Sequence, residues 1–98
     1  MPPFDVDVQH DESGTARVLA RGELDLAGVP QLHAALAATR ADDPAAIVLD
    51  LSQVTFMDSA GIGALLRADR DFEVRIVSSP AVDRVIDLCG VRAKLSFA

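Results

Sequence analysis

Apolar and polar residues alternate one by one at the start of the chain, a pattern typical of a strand with one buried face. Within residues 4–9 the apolar set is Phe4, Val6 and Val8, and the polar set is Asp5, Asp7 and Gln9. Residues 15–24 contain a second strand-like run, and Gly14 lies in the turn between the two runs. We therefore predict a β-hairpin in which the second run pairs with the first.

Three later stretches carry apolar residues at the three- and four-residue spacing of an amphipathic helix. The first has Pro30 in its first turn, where a missing N–H costs nothing, and should end near Arg40. Asp58 is predicted to open the second helix. Ser79, followed by a proline, is predicted to open the third, and Gly90 to end it. The apolar stripes are Val29, Leu32 and Leu36; Ile62, Leu65 and Leu66; and Val82, Val85 and Ile86.

Two further apolar runs and a short terminal one predict the remaining strands. Residues 45–51 are almost continuously apolar, so we expect a strand covered on both faces, as in a parallel sheet with helices packed on it. Residues 72–77 alternate again, and the run AKLSF is predicted to be a short final strand. The order β-β-α-β-α-β-α-β predicts an α/β fold with one mixed sheet, made of the N-terminal hairpin and parallel strands, and helices packed against it.

Length and composition favour one folded domain. The chain has 98 residues, of which 50% are hydrophobic and 24% are charged, and we expect a single domain over residues 1–98. No apolar run approaches the roughly 20 residues of a membrane span, and the N-terminus lacks the features of a secretory signal. The single cysteine, Cys89, cannot form an internal disulfide. These features predict a cytoplasmic protein.

Charge and motifs exclude several kinds of partner. The net charge of −6 disfavours binding to nucleic acid or to an anionic membrane surface, and fits better a protein partner with a basic face. The sequence contains no Cys/His cluster of the kind that binds a metal ion, so we predict no metal site. The Gly61-Ile62-Gly63 segment lacks the rest of a phosphate-binding loop, so we predict no cofactor.

Residues 54–66, VTFMDSAGIGALL, place an acid and a hydroxyl where a strand meets a helix, and four interpretations compete. The first is a structural N-cap by Asp58, which is common and worth about 1 kcal/mol. The second is a nucleophile at Ser59, but Met57 replaces the first glycine of the G-x-S-x-G motif and both histidines precede the serine. The third is half of a dimeric aspartic protease, which fails because Ala60 replaces a glycine and such proteases are all-β.

The fourth interpretation is a regulatory phosphorylation site at Ser59. The first turn of a helix offers N–H groups and the positive end of the helix dipole. A phosphate there adds about −1.5 to −2 charges beside Asp58 without unfolding the domain. A partner docking on this surface would be repelled, and weakening a complex 100-fold requires only about 2.7 kcal/mol.

Three segments of the chain resemble the STAS domain of the anti-sigma factor antagonist family: RGELDLAGVPQL, IVLDLSQVTFMDSAGIGALL and VSSPAVDRVIDLCGV. The resemblance covers about residues 4–97. The middle segment is the most specific, since a strand, Asp-Ser-x-Gly and an apolar helix follow in the family's order. The family's fold agrees with the order of elements predicted above.

The resemblance implies a bacterial regulator of transcription that is not an enzyme. In its unphosphorylated state such a protein binds an anti-sigma factor that is also a serine kinase, and so frees a sigma factor. Phosphorylation of one serine releases the antagonist, and a serine phosphatase restores it. By position that serine is Ser59, Asp58 is the acid beside it, and Asp25 is the acid of a nearby loop. The implied partner-binding residues are Asp25, Asp58, Ser59, Ala60, Gly61 and Ile62.

The sequence departs from the family's pattern at three places. Ala60 replaces a second hydroxyl residue, which leaves Ser59 as the only candidate in the motif. The stretch of residues 66–74 is short, whereas family members usually have a longer second helix and a Gly-rich turn there. The sequence ends at Ala98, just after the last predicted strand, whereas many members have a further helix there. We expect either a minimal domain or an edge that a homodimer or a larger assembly covers.

Two alternatives to a phospho-switched antagonist stay open. One is a STAS scaffold, or an accessory subunit of a signalling or transporter complex, that phosphorylation does not regulate. The other is a small hydrolase that uses Ser59.

Overall fold

The structure is a computed structural model that describes residues 4–98, in which strands and helices alternate after an N-terminal hairpin. The strands and helices are β1 Phe4–His10, β2 Thr15–Leu24, α1 Val29–Ala41, β3 Ala46–Met57, α2 Ser59–Phe72, β4 Val74–Val77, α3 Pro80–Cys89 and a 3-10 helix Arg92–Lys94. The strands form one sheet in the order β1-β2-β3-β4. β1 pairs antiparallel with β2, which confirms the predicted hairpin, and β2, β3 and β4 run parallel. None of the helices in this part of the chain is long and apolar enough to span a membrane.

The inner face of the sheet carries the hydrophobic core. Val18, Leu49 and Ile76 stand on this face of β2, β3 and β4, and they are buried in one cluster with residues of all three helices. The helical members of the cluster include Leu32 and Leu36 of α1, Ile62 and Leu65 of α2, and Val82 and Ile86 of α3. Because parallel crossovers are right-handed, α1 and α2 lie side by side on this face. The predicted apolar stripes of the helices are thus the surfaces that face the sheet.

The outer face of the sheet is polar, and the prediction that β3 is covered on both faces is wrong. Val48 is only half-buried there, and Asp50 pairs with Arg17, whose side chain is 44% exposed. Leu19 is buried on this face but lies outside the core cluster. Burial acts to raise the pKa of Asp50, but hydrogen bonds from Ser52 and Arg17 outweigh it and hold that pKa below its usual value. The ion pair shields this side of β3 where the sequence predicted a helix.

Local side-chain caps fix where α2 and α3 begin. The Asp58 side chain accepts hydrogen bonds from the first turn of α2, and Ser79 Oγ accepts one from the Val82 N–H at 3.3 Å. Ser79 Oγ also donates to the Val54 carbonyl at 2.7 Å, which ties the start of α3 to β3. Gly90 ends α3 with a φ of 68°. The predicted starts of both helices and the predicted end of α3 are confirmed.

The last predicted strand is not a strand. The run AKLSF begins inside the 3-10 helix, and Phe97 then forms a single parallel bridge with Ile76. The Ile76 N–H donates to the Ser96 carbonyl and the Ala98 N–H donates to the Ile76 carbonyl, both at 2.9 Å. β4 also begins later than predicted, because Phe72 is the last residue of α2 and its ring packs edge-on against His33, with 5.2 Å between ring centroids.

Candidate functional site

The candidate site lies where β2 and β3 end side by side. Leu24 is the last residue of β2, Met57 is the last residue of β3, and the two are register partners in the parallel ladder. Asp25 follows Leu24 directly and Asp58 follows Met57 directly. The pairing therefore brings both predicted acids to the same edge of the sheet, the edge at which open α/β sheets commonly bind their ligands.

Asp58 is the N-cap of α2 and is half-buried. Its Oδ1 accepts hydrogen bonds from the N–H groups of Ala60 at 3.0 Å and Gly61 at 3.3 Å. Its backbone carbonyl accepts from the N–H groups of Gly61 at 3.0 Å and Ile62 at 3.3 Å. The Asp58 side chain thus binds two of the free amides at the start of the helix, and its carbonyl accepts the first regular helix bond, from Ile62.

Asp25 shapes its loop in the same way. Its Oδ1 accepts from the N–H groups of Ala27 at 3.1 Å and Gly28 at 3.3 Å. Its carbonyl accepts from the N–H groups of Gly28 at 3.0 Å and Val29 at 3.2 Å, where α1 begins. This compact turn leaves the intervening Leu26 side chain 75% exposed.

Ser59 is the first residue of α2 and is exposed. Its hydroxyl makes no hydrogen bond with any residue in the 4–98 range that the structure describes. The neighbouring segments, residues 22–28 and 52–64, contain Glu23, Asp25 and Asp58 and no lysine, arginine or histidine. The hydroxyl is therefore open to solvent, and the charged side chains in these two segments are all acidic.

Gly61 allows the first turn of α2 to rest directly on the strand ends. A Cβ at this position would lie 2.3 Å from Met57 Cγ and 3.0 Å from the Leu24 carbonyl oxygen. Gly61 and Ile62 are buried, and Ala60 is half-buried. Of the residues implied to bind a partner, Gly61 and Ile62 therefore support the site from below, whereas Ser59, Ala60 and the two acids reach its surface.

Comparison with known proteins identifies the family to which the chain belongs. Residues 8–94 match the family model described as "Mlab, STAS domain". The chain belongs to the STAS-domain family. The resemblance to this family is confirmed, and with it the α/β fold.

Relatives of this STAS domain include anti-sigma factor antagonists. The anti-sigma-F factor antagonist RsfB of Mycobacterium tuberculosis, from strains CDC 1551 and H37Rv, is 40% identical over 55 residues. That match covers 56% of this chain and 45% of the relative, so the chain spans less than half the length of the curated relatives it matches.

Two solved structures share the fold. An anti-sigma factor antagonist from Mycobacterium paratuberculosis is 31% identical, with a TM-score of 0.83, and the match covers 96% of this chain and 84% of that one. The anti-sigma factor antagonist SpoIIAA in its unphosphorylated form is 23% identical, with a TM-score of 0.74, over 96% of this chain and 88% of that one. The second likeness concerns the fold alone.

Neither histidine of the STAS domain can serve Ser59 as a general base. His10 lies opposite Ala16, which is paired with Ile47 near the start of β3, whereas Ser59 follows the end of that strand. Ile47 and Met57, the last residue of β3, are ten residues apart. At a rise of about 3.3 Å per residue, this separation corresponds to about 33 Å. His33 stacks on Phe72 at the far end of α2, about 20 Å from the first residue of that helix. The structure thus leaves the hydrolase alternative without a Ser–His pair.

Two exposed apolar side chains beside the site were not predicted. Leu26 is 75% exposed and Phe56 is 48% exposed. A signal for Leu26 was present in the sequence, since it is a large apolar residue between an Asp and an Ala-Gly pair typical of a turn. The sequence gave no such indication for Phe56. Apolar and polar residues do not alternate regularly around it, so the pattern does not show which positions are buried.

Proposed function

We propose that this STAS domain is an anti-sigma factor antagonist whose binding to an anti-sigma factor with serine kinase activity is switched off by phosphorylation of Ser59. The observation that carries the proposal is the exposed, unbonded Ser59 hydroxyl at the start of α2. The names of its relatives support the first half of the proposal. The geometry of the site supports the second half.

A phosphate on Ser59 would remain a surface charge. Asp58 Oδ1 already holds the N–H groups of Ala60 and Gly61, so the helix start offers few free donors to a second anion. The surrounding segments contain no basic side chain that could neutralise it. About −1.5 to −2 charges would thus be added to an already acidic surface.

The added charge would act on binding and leave the fold intact. The Ser59 side chain forms no hydrogen bond within residues 4–98, and Asp58 caps the helix without it. A partner seated on this surface would have to desolvate the phosphate and bring its own charges close to it. Loss of about 2.7 kcal/mol weakens a complex 100-fold, and one uncompensated phosphate supplies that amount.

The same proposal covers the cell biology of the protein. The domain acts in the bacterial cytoplasm without catalytic activity, metal or cofactor. The kinase partner phosphorylates Ser59, a serine phosphatase removes the phosphate, and the cycle sets how much sigma factor is available for transcription. Neither nucleic acid nor membrane is a direct partner. A homodimer is compatible with this role.

The test combines phosphorylation and binding. The purified protein is incubated with ATP and each anti-sigma serine kinase encoded in the same genome, and intact mass reports the number of phosphates added. We expect one phosphate, mapped to Ser59 by peptide analysis and absent from Ser59→Ala. Ser96→Ala, which removes an exposed serine at the other end of the domain, should still be phosphorylated.

Binding variants decide whether phosphorylation is a switch. Ser59→Ala should bind the kinase as tightly as the parent and resist release by ATP, and Ser59→Glu should bind at least tenfold more weakly. If Ser59→Glu binds as tightly as the parent, the switch is refuted. The alternative of an unregulated STAS scaffold or accessory subunit would then account for the binding.

A further inference from the structure

Two exposed apolar side chains and three acids lie near Ser59 at the ends of β2 and β3. Their chemistry indicates what kind of surface a partner must have. Leu26 and Phe56 are two of the four large hydrophobic side chains that are exposed in residues 4–98. The other two, Val8 and Leu88, lie in the N-terminal edge strand and near the end of α3. Leu26 and Phe56 lie instead beside the paired ends of β2 and β3, at the edge of the sheet that carries Ser59.

Sheet geometry places Phe56 at the edge of this surface. Met57 is buried on the inner face, so Phe56, one residue earlier, points to the outer face. Its register partner on β2 is Glu23, which is also exposed. The site therefore extends from Ser59 around the end of the sheet onto its open face.

Leu26 borders the same surface from the other side. It lies two residues after Leu24, whose carbonyl oxygen is 3.0 Å from the position of a Cβ on Gly61, in the first turn of α2. The hydrogen bonds of Asp25 fix the turn that holds Leu26 outward. The loop is thus preordered, which reduces the entropy lost on binding.

The acids near these side chains form no ion pair within residues 4–98, although Asp25 and Asp58 accept backbone hydrogen bonds. Glu23, Asp25 and Asp58 share this edge of the sheet, and residues 22–28 and 52–64 contain no basic side chain. A partner that covers these acids would therefore gain from positive charge between its apolar contacts.

We infer that the partner docks through a basic protein surface with apolar pockets that receive Leu26 and Phe56. The inference rests on the proposed function, since it describes the partner of that same site. Leu26 and Phe56 provide the affinity by burying apolar area against the partner, and the three acids accelerate association and fix its orientation. A phosphate on Ser59 would weaken this docking through its bulk and the cost of removing its hydration, which outweigh its attraction to the basic groups and keep Leu26 and Phe56 from their pockets.

The anchors are tested with matched variants against the anti-sigma serine kinase that phosphorylates the parent. Leu26→Ser should raise the Kd at least tenfold, and Leu88→Ser, an equally exposed leucine on α3, should leave it within twofold. Phe56→Thr, which replaces the ring by a small residue that strands also favour, should likewise raise the Kd at least tenfold. Thermal unfolding of each variant checks that the fold persists.

The charges are tested by the salt dependence of the association rate. Glu23→Gln and Asp25→Asn should lower the rate severalfold at low salt and flatten its dependence on ionic strength, whereas Glu12→Gln in the distant hairpin turn should not. If the parent binds its kinase but Leu26→Ser and Phe56→Thr bind equally well, the inference is overturned and the proposed function stands. If no such kinase binds or modifies the parent, the proposed function fails and the inference fails with it.

Discussion

Replacing Gly61 by alanine should destabilise the protein, whereas the same replacement at Gly63 should stabilise it. Both glycines lie in α2, two residues apart, and neither has a positive φ. At Gly61 the new Cβ would lie 2.3 Å from Cγ and 2.8 Å from Sδ of Met57, and 3.0 Å from the carbonyl oxygen of Leu24. At Gly63 it would meet no atom within 4 Å outside its own helix. Comparing the two variants thus separates the effect of close packing, present only at Gly61, from the effect of helix propensity, present at both positions.

The expected magnitudes follow from these contacts. Replacing glycine by alanine inside a helix raises the free energy of unfolding by about 0.5–1 kcal/mol. At Gly63 we expect this effect alone. At Gly61 the gain is opposed by overpacking, which costs about 1–3 kcal/mol, because Met57 is buried and the Leu24 carbonyl belongs to the sheet. We expect Gly61→Ala to lose about 1 kcal/mol, which puts the two variants about 2 kcal/mol apart, or about 8–16 °C in Tm.

Equilibrium unfolding in urea, followed by circular dichroism, measures both variants against the parent. The slopes of the unfolding free energy against urea should agree, so that the midpoints report stability alone. If both variants shift in the same direction and by the same amount, the first turn of α2 does not rest on the ends of β2 and β3, and the geometry argued for the site is wrong.

Three further substitutions test the contacts around the site. Asp58→Ala should lose about 1 kcal/mol of unfolding free energy, and Asp58→Asn, which keeps an acceptor oxygen, should lose clearly less; equal losses would contradict the cap. Ser79→Ala removes both the cap of α3 and the bond to the Val54 carbonyl and should cost about 1–3 kcal/mol in urea unfolding, so a cost near zero would contradict that role. The lowered pKa of Asp50 predicts a pH dependence: its stabilisation is complete above the unfolded-state pKa of about 3.9 and is lost as the pH falls through the lower folded-state pKa. The parent should therefore lose more stability than Asp50→Asn between about pH 5 and pH 2, and parallel curves would refute the assignment.

The sequence predicted the features of the fold that depend on local chemistry. The caps at Asp58 and Ser79 are local, because each side-chain oxygen binds an N–H group two or three residues ahead. The hairpin and the apolar stripes of the helices are equally local patterns. These are the features that the structure confirms.

The errors in the prediction concern contacts between residues far apart in the chain. The apolar run of β3 gave no indication that Arg17, 33 residues earlier, would pair with Asp50 and shield an uncovered face. Phe72 looked like the start of a strand, but His33 packs against it at the end of α2. The final run had strand composition, yet only Phe97 forms a bridge.

The site shows the same division. Asp58 and Ser59 were singled out by the local pattern and Asp25 by resemblance to a family, and the parallel register explains why acids 33 residues apart meet at one edge. The burial of Ile62 was expected from the predicted apolar stripe of α2, whereas the contacts of Gly61 depend on how α2 is seated on the strand ends. The exposure of Phe56 likewise depends on how the described residues pack around the outer face of the sheet.

The seating of α2 also determines what a phosphate on Ser59 can do. A phosphate that remains in solvent leaves Asp58 bound to Ala60 and Gly61, and the helix keeps its cap. A phosphate that bends back to take those N–H groups would displace the Asp58 carboxylate, and one anion would cap the helix in place of another. In either case the start of α2 remains capped and the surface gains negative charge. The fold therefore accommodates the modified serine in both arrangements, whereas a partner with a basic, apolar surface meets a changed site in both.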